Sequence, residues 1–597
     1  MTSTDHDELD IEALRARYDA ERQQRLRDDG SAQYVAMDGR FESYLDDPWV
    51  TAPAQRAPID ETTEVLIVGG GFGGMLCAAQ LRSVGIEDLR IIEKAGDFGG
   101  TWYWNRYPGA ACDTESYVYL PLLEETGYIP QRKYARAPEI FEHCQRIGRQ
   151  FGLYERALFQ TVVVDMHWHD DAAHWLVNTD RGDTITARFV VLAGGPLNRP
   201  KLPGIPGIED FQGHSFHTSR WDYDYTGGDT LGGLDGLRDK RVGIIGTGAT
   251  SVQAVPHLAE SCEELYVFQR TPSSIDVRAN RPTDPEWEAS LKPGWQAERI
   301  ANFTALTGGG YATEDLVMDG WTDIIGRIVT MLRSSGEMSM DAIMEALEES
   351  DFQKMDDIRA RVDQLVEDPD TAAALKPWYK LFCKRPCFHD EYLQSYNRPN
   401  VHLVDTDGKG VDRITPKAVV VADTEYEIDC LIYATGFEVS TAYTQKLGFD
   451  PVGRDGLSLS EHWANGMRTM HGMHMHGFPS LFLIGHAQGA FTANYPHLLE
   501  ECATQIVHVL TAVQDAGADV VEVTAEAEEE WVREIEDNPP RFAGFGNTSD
   551  CTPGYYNNEG RMVPGFTGFF YSKGALGFFA LTADWRAKGD LPGLELR

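Results

Sequence analysis

The chain has 597 residues, 42% of them apolar and 11% aromatic, which is enough for several hydrophobic cores and too long for a single one. Its 53 Lys and Arg against 93 Asp and Glu give a formal charge of −40, a surface that repels nucleic acid and anionic lipid and favours solubility. Nucleic acid and membranes are therefore not expected partners.

The acidic start, MTSTDHDELD, lacks the apolar stretch of a signal peptide. In "LDIEALRARYDAERQQRL" the residues Leu9, Ile11, Leu14 and Tyr18 fall on one helical face. The Pro-rich "DDPWVTAPAQRAPIDE" that follows reads as an extended strap. Residues 1–55 are thus expected to form a helical extension packed on the body, without catalytic residues.

Two similar units come next. "EVLIVGGGFGGMLCAAQLRSVGIEDLRIIEK" reads as apolar strand, glycine turn, helix and second strand ending in acid, and "KRVGIIGTGATSVQAVPHLAESCEELYVFQRTP" repeats the arrangement. The apolar run Val65 to Leu81 is about the length of a membrane span, but five glycines in six positions make a soluble strand–turn–helix the better reading. The fold class is therefore α/β, with two Rossmann-like dinucleotide domains. We expect the first part of one dinucleotide domain at 56–195, a second dinucleotide domain at 196–435 with an acidic helical insertion at about 284–380, and a return to the first domain at 436–597.

Gly69, Gly71 and Gly74 supply GxGxxG directly after the strand Glu64–Val68. The first glycine permits the tight turn, the second lets backbone approach a pyrophosphate, and the third allows close helix–strand packing. Glu93 ends the second strand, where a carboxylate accepts both ribose hydroxyls of an unphosphorylated ribose. The second unit has Gly246, Gly248 and the small Ser251, and its second strand ends in Gln269-Arg270-Thr271. A cation flanked by a hydroxyl suits a 2′-phosphate. One acid end and one arginine end imply FAD and NADPH together.

"GGTWYWNRYPGAACDTESYVY" sets Trp102, Tyr103 and Trp104 after a Gly99-Gly100 turn. Read alone, the cluster is either a buried support for the sheet or a lining for a flat ring; its place soon after the ribose acid favours a flavin. The nine cysteines are scattered and odd in number, so free thiols in a reducing cytoplasm are expected rather than a disulfide frame. Cys383 and Cys387 fit neither a CxxC redox motif nor a usual zinc pair and read as packing. His471, His474 and His476 invite a metal reading, but no carboxylate or cysteine joins them at ligand spacing, and no metal is expected.

GGTWYWNRYPGAxCD resembles the flavin loop of the class B flavoprotein monooxygenases of the Baeyer–Villiger type (type I). "FQGHSFHTSRWD", with Phe211, Gly213, His217, Trp221 and Asp222, matches that family's fingerprint FxGxxxHxxxW[PD] at each defined position. "ATGF", Ala434 to Phe437, resembles the later hinge segment, and the likeness covers roughly residues 60 to 570. The N-terminal extension and "CKRPCFHDEYLQSYNRPNV" are most similar to the subgroup acting on large ketones, with cyclopentadecanone monooxygenase and the pentalenolactone-pathway enzymes.

The resemblance implies NADPH- and O₂-dependent conversion of a bulky cyclic ketone (macrocyclic, terpenoid or steroid) to a lactone or ester through a flavin-bound peroxide. Lys384-Arg385 matches the family's basic pair, so that Arg385 stabilises the anionic peroxide and Lys384 contacts NADPH. Asp113 matches the aspartate that orients this arginine. The set expected at FAD is then Gly69, Gly71, Phe72, Gly74, Glu93, Gly100, Thr101, Trp102, Tyr103, Trp104, Asp113, Tyr119, Val163 and Tyr495. At NADP it is Gly246, Thr247, Gly248, Ala249, Thr250, Ser251, Gln253, Arg270, Thr271, Lys384 and Arg385. His217 reads as a structural hydrogen-bonding residue between domains rather than a base.

Ala111 stands where many members have arginine, and "CTPGYYNNEG" offers Thr552, Pro553 and Tyr555 where many have a tryptophan. The rival readings are a flavin N- or S-monooxygenase, disfavoured by Trp221-Asp222; a disulfide reductase, for which no redox cysteine pair is found; a redox sensor; and a peroxide-forming oxidase. The particular ketone and the oligomeric state are not legible.

Overall fold

The run EVLIV ends a nine-residue strand, Asp60–Val68, in which Val65, Leu66 and Ile67 have no accessible surface. Burial on both faces is what a strand inside a helix-covered parallel sheet requires, which is why the stretch is continuously apolar instead of alternating. A computed structural model of the chain describes residues 10–35, 37, 39–308, 310, 312–324, 326, 340–439, 441–485, 488–539, 550–561 and 570–597.

The first sheet places Asp60–Val68 between the parallel strands Leu89–Ile92 and Thr184–Leu192. Thr184–Leu192 extends into an antiparallel pair, His174–Thr179 and Val163–His169. Its other end is paired in parallel by Leu481–Leu483, so a segment almost three hundred residues later completes the same sheet. The long helix Tyr495–Asp515 then packs on the glycine-turn helix Phe72–Ser83, where a Cβ on Gly73 would lie 2.9 Å from Ile484.

The second sheet is fully parallel, in the order Val401–Asp405, Glu264–Gln269, Arg241–Ile245, Cys430–Tyr433, His214–His217. Between residues 284 and 380 the chain forms helices at Pro285–Ser290, Trp295–Thr307, Met340–Leu365 and Pro369–Leu375; residues 309, 311, 325 and 327–339 of that stretch lie outside the described residues.

The extension forms the helix Ile11–Arg25, capped by the Asp10 carboxylate, which accepts from Ala13 N at 3.0 Å. Half-buried Ile11 and Leu14 and buried Tyr18 form its inner face; Leu9 lies outside the described residues. Tyr18 meets Phe352 edge to face at 5.2 Å and accepts from Arg359 at 3.1 Å, which docks the helix on the insertion. Among the described residues, no helix is long and apolar enough to cross a membrane.

One expectation is corrected. Cys383 is bonded to Cys551, so the cysteines are not all free thiols; the other seven are free and buried. The partners are 168 residues apart, and no local pattern marks them.

Candidate active site

The first glycine turn runs from the strand Asp60–Val68 into the helix Phe72–Ser83, whose N-cap is Gly71 with no side-chain cap. Gly69 has φ +117°, and a Cβ there would stand 2.5 Å from Ala193 O; at Gly74 it would stand 1.9 Å from Gly69 O. Any side chain at either position would close the turn, so the helix N-terminus stays open to an anion. Glu93, just past Leu89–Ile92, accepts from Gly70 N at 2.5 Å and Ala95 N at 2.8 Å. Burial pushes its carboxyl pKa up, against those two donors.

A cleft opens here, lined among others by Gly69, Glu93, Trp102, Tyr119, Val163 and Tyr495. Trp102 Nε1 donates to Tyr119 Oη at 3.0 Å, fixing one wall, and Tyr495 Oη donates to Gly485 O. Phe72, Gly100, Thr101 and Trp104 also line it. The cradle, the acid and the aromatic walls fit the FAD expected from the sequence.

Tyr103 is not brought to this cleft. It sits on a single helical turn, Thr101–Trp104, where adjacent side chains point about 100° apart. Its hydroxyl donates to Asp47 at 2.7 Å, and its ring packs on Phe141 and faces a separate surface cavity. Lys94 lines the cleft and was not foreseen; its Nζ donates to Asn198 O at 2.8 Å, and burial lowers its pKa to about 8.

The second glycine turn joins Arg241–Ile245 to the helix Ala249–Ser261, with exposed Gly248 as N-cap. Gly246 has φ +111°, with Ala434 O where a Cβ would lie. Ser251 is fully buried and donates to Gly246 O at 2.5 Å, and Thr247 donates to Thr271 O at 2.7 Å. Gln253 leaves this helix for the aromatic loop: it accepts from Tyr107 Oη at 2.8 Å and donates to Ala111 O at 3.0 Å. Ala249 and Thr250 form the first turn of the helix.

Arg270, at the end of Glu264–Gln269, donates to Gln33 Oε1 at 2.6 Å and to Glu559 Oε2 at 3.0 Å. Arg25 donates to Thr271 Oγ1 at 3.1 Å. Lys384 stands nearby, its pKa lowered to about 8 by burial and by Arg270. The N-terminal extension and residues 551–561 thus close over the strand end expected to read the 2′-phosphate, which no local sequence signal foretells.

Asp113 and Arg385, 272 positions apart, form a bidentate pair: Nε donates to Oδ2 at 2.8 Å and Nη2 to Oδ1 at 2.7 Å. Backbone contacts hold Asp113 in place, since Arg278 donates to Cys112 O and Trp321 Nε1 donates to Asp113 O at 3.1 Å. The guanidinium lies over the Trp321 ring at 5.3 Å. Burial alone would raise the Asp113 pKa, but Arg385, with Arg278 behind it, holds the carboxyl below its ordinary range. Burial alone would lower the Arg385 pKa, but the Asp113 carboxylate holds it well above its ordinary value, so the guanidinium stays protonated. Trp321 and Arg278 are site neighbours that the sequence reading did not name.

The linker fingerprint forms the edge strand His214–His217 and the turn after it. His217 lies opposite Tyr433 in the sheet, fully buried, its ring edge-on to Phe437 at 5.9 Å. Its Nδ1 accepts from Ser219 N at 3.1 Å, and burial lowers its pKa to about 3, so it is neutral. Trp221 is fully buried with Nε1 on Thr226 Oγ1 at 3.0 Å, and Asp222 caps Tyr223–Thr226 through Tyr225 N. A Cβ on Gly213 would lie 2.5 Å from Phe211, which explains that pairing. His471 packs on Trp531, His474 on Phe482, and His476 Nδ1 donates to Val523 O at 3.0 Å.

The family model described as pyridine nucleotide-disulphide oxidoreductase matches residues 66–305, less than half of the chain. Neopentalenolactone D synthase of Streptomyces avermitilis is 53% identical over 99% of this chain and 100% of its own length. A Baeyer–Villiger monooxygenase of Streptomyces coelicolor is 49% identical over 96% and 95%. Among solved structures, the polycyclic ketone monooxygenase from the fungus Thermothelomyces thermophila aligns with a TM-score of 0.91, 41% identity and coverage of 98% and 99%. OTEMO in complex with FAD and NADP aligns with a TM-score of 0.73, 28% identity and coverage of 91% and 100%.

Proposed function

The chain belongs to the Baeyer–Villiger monooxygenases, and from that membership we propose that it oxidises a bulky cyclic ketone to a lactone or ester, using FAD, NADPH and O₂. The glycine turn at Gly69–Gly74 with Glu93, Trp102 and Tyr119 holds FAD; the turn at Gly246–Ser251 with Arg270, Thr271 and Lys384 holds NADPH. FAD reduced by NADPH supplies the O₂-derived oxygen that is inserted beside the carbonyl.

The chain's own part is electrostatic and positional. Arg385 cannot lose its proton at working pH, so it keeps a fixed positive charge where negative charge develops on oxygen. Asp113 engages Nε and Nη2 and sets the plane of the guanidinium; Nη1 is not part of that fork. Trp321 covers the guanidinium face and limits water. Neutral His217, buried at the end of the edge strand with its ring against Phe437 of the hinge segment, acts as a structural link and not as a base.

The single observation that carries this reading is the Asp113–Arg385 pair, which joins the aromatic flavin loop to the CKRP segment. Relatives named for a neopentalenolactone and for polycyclic ketones support the bulky-ketone class.

The test is NADPH consumption in air by the purified yellow protein with a panel running from small rings to macrocycles, steroids and terpenoid ketones. A product one oxygen heavier than its ketone, formed in proportion to NADPH used, is expected for the bulky members. Hydrogen peroxide as the sole product across the whole panel would overturn the ketone assignment.

A further inference from the structure

Glu559 is a carboxylate among cations. Only 4% of its surface is exposed; its Oε2 lies 3.0 Å from Arg270 Nη2, its Oε1 lies 3.5 Å from Lys201 Nζ and accepts from Tyr34 Oη at 2.9 Å. Lys384 adds a third positive charge to its surroundings. These are the groups, apart from Tyr34 and Lys201, that the preceding reading assigns to the 2′-phosphate of NADPH. A carboxylate and a phosphate ask for the same charge-assisted donors.

The backbone shows that this placement is enforced. Asn558 and Glu559 have φ of +47° and +56°, the left-handed region that side-chain-bearing residues avoid. The turn is wound on Asn557, whose Oδ1 accepts from Gly554 N at 2.9 Å and Gly560 N at 3.1 Å. Two consecutive strained residues persist here because the surrounding contacts hold the carboxylate on its cations.

We infer that Glu559 is an internal competitor for the 2′-phosphate seat: it holds Arg270 and Lys201 in place, and a 2′-phosphorylated nucleotide binds by displacing its carboxylate. The inference rests on the assignment of Arg270 and Lys384 to NADPH. It makes Glu559 a residue that sets cofactor affinity, with Tyr34 of the N-terminal extension fixing how strongly it competes. The cluster keeps three cations and loses its one anion when Glu559 leaves, so the seat is most attractive to phosphate at the moment it is vacated.

The probe is adenosine 2′,5′-bisphosphate, with 5′-AMP as the analogue lacking the 2′-phosphate, titrated calorimetrically into full-length, FAD-loaded, oxidised enzyme at low and high salt. Glu559→Gln is expected to tighten the bisphosphate at least fivefold at low salt, with 5′-AMP unchanged within twofold, and the gain shrinks at high salt. Tyr34→Phe leaves all charges in place and loosens only the hold on Glu559, so it is expected to tighten the bisphosphate two- to threefold. This second variant carries the test should Glu559→Gln fold poorly. Arg270→Ala is expected to abolish the preference for the bisphosphate over 5′-AMP. If Arg270→Ala abolishes that preference while the Glu559 and Tyr34 variants bind the bisphosphate no more tightly than wild type, competition by Glu559 is refuted and the seat stands. If Arg270→Ala keeps the preference, the seat assignment itself fails and the inference falls with it.

Discussion

Replacing Asp113 by Asn keeps the shape of the side chain and removes the charge that fixes Arg385. The pair is bidentate at 2.8 and 2.7 Å, with the Asp113 side chain 16% exposed and that of Arg385 35% exposed. Breaking a fully buried ion pair costs about 3–5 kcal/mol. Water reaches the outer part of the guanidinium and offsets some of this, which leaves about 2–3 kcal/mol of lost positioning. At about 1.36 kcal/mol per decade this is a fall of about 30- to 150-fold in coupled product formation. The assay is rapid mixing of NADPH-reduced holoenzyme with oxygen and a turned-over ketone, scoring lactone against hydrogen peroxide. The Asn variant should remain yellow, form less lactone and release more peroxide per NADPH. A double-mutant cycle with Arg385→Lys should return most of the 2–3 kcal/mol as coupling. Lactone formation within threefold of wild type, or additive single effects, would refute the claim that Asp113 works through Arg385.

Three further outcomes are expected. Lys384 has a pKa lowered to about 8, so it is charged below and neutral above that pH, and NADPH affinity should weaken as pH rises through 8; Lys384→Arg, which stays charged, should flatten that alkaline limb in flavin-reduction titrations from pH 6.5 to 9.5. Asp183 accepts from Arg56 Nη2 at 2.6 Å, Thr179 Oγ1 at 2.6 Å and Ile59 N at 2.9 Å, with Arg56 the main cause of a carboxyl pKa lowered to about 2. Its contribution, about 2 kcal/mol, is therefore fully present above about pH 4 and lost as pH falls towards 2, so the melting-temperature gap between wild type and Asp183→Asn should be constant from pH 5 to 7 and narrow in that acid window. Cys551→Ser, or reduction of Cys383–Cys551, should speed tryptic cleavage after Arg561 and, because a less confined Glu559 competes less, lower the KM for NADPH severalfold; unchanged cleavage and KM would show that the bond does not restrain the 551–561 segment.

The parts of the site that the sequence made legible are those whose chemistry is written within some thirty residues. Strand, glycine turn and helix follow from local apolar runs and from glycines whose Cβ positions are filled by backbone oxygen, so Gly69, Gly74 and Gly246 could be read directly. Trp102 and Tyr103 were equivalent as a composition and are not equivalent on a helical turn, which separates neighbours by about 100° and sends Tyr103 to Asp47. The Asp113–Arg385 pair was reached through family likeness, because 272 intervening residues leave no periodic trace. The closure over Arg270 and the Cys383–Cys551 bond were not reached at all. The closure depends on the extension and the C-terminal part meeting over the second sheet, with Tyr34 and Glu559 in contact across 525 positions, and the bond depends on the C-terminal part returning to Cys383.

Cys551 lies eight residues before Glu559, so a carboxylate pushed off Arg270 can travel at most about 28 Å from its anchor. Confinement to such a radius gives it an effective concentration in the millimolar range, whatever the dilution of the enzyme. A cofactor pool in a cell rises and falls; this rival does not. The fraction of enzyme open to NADPH is thereby set by a ratio whose denominator is encoded in the chain, and loop length, as much as charge, becomes a variable on which cofactor saturation can be tuned.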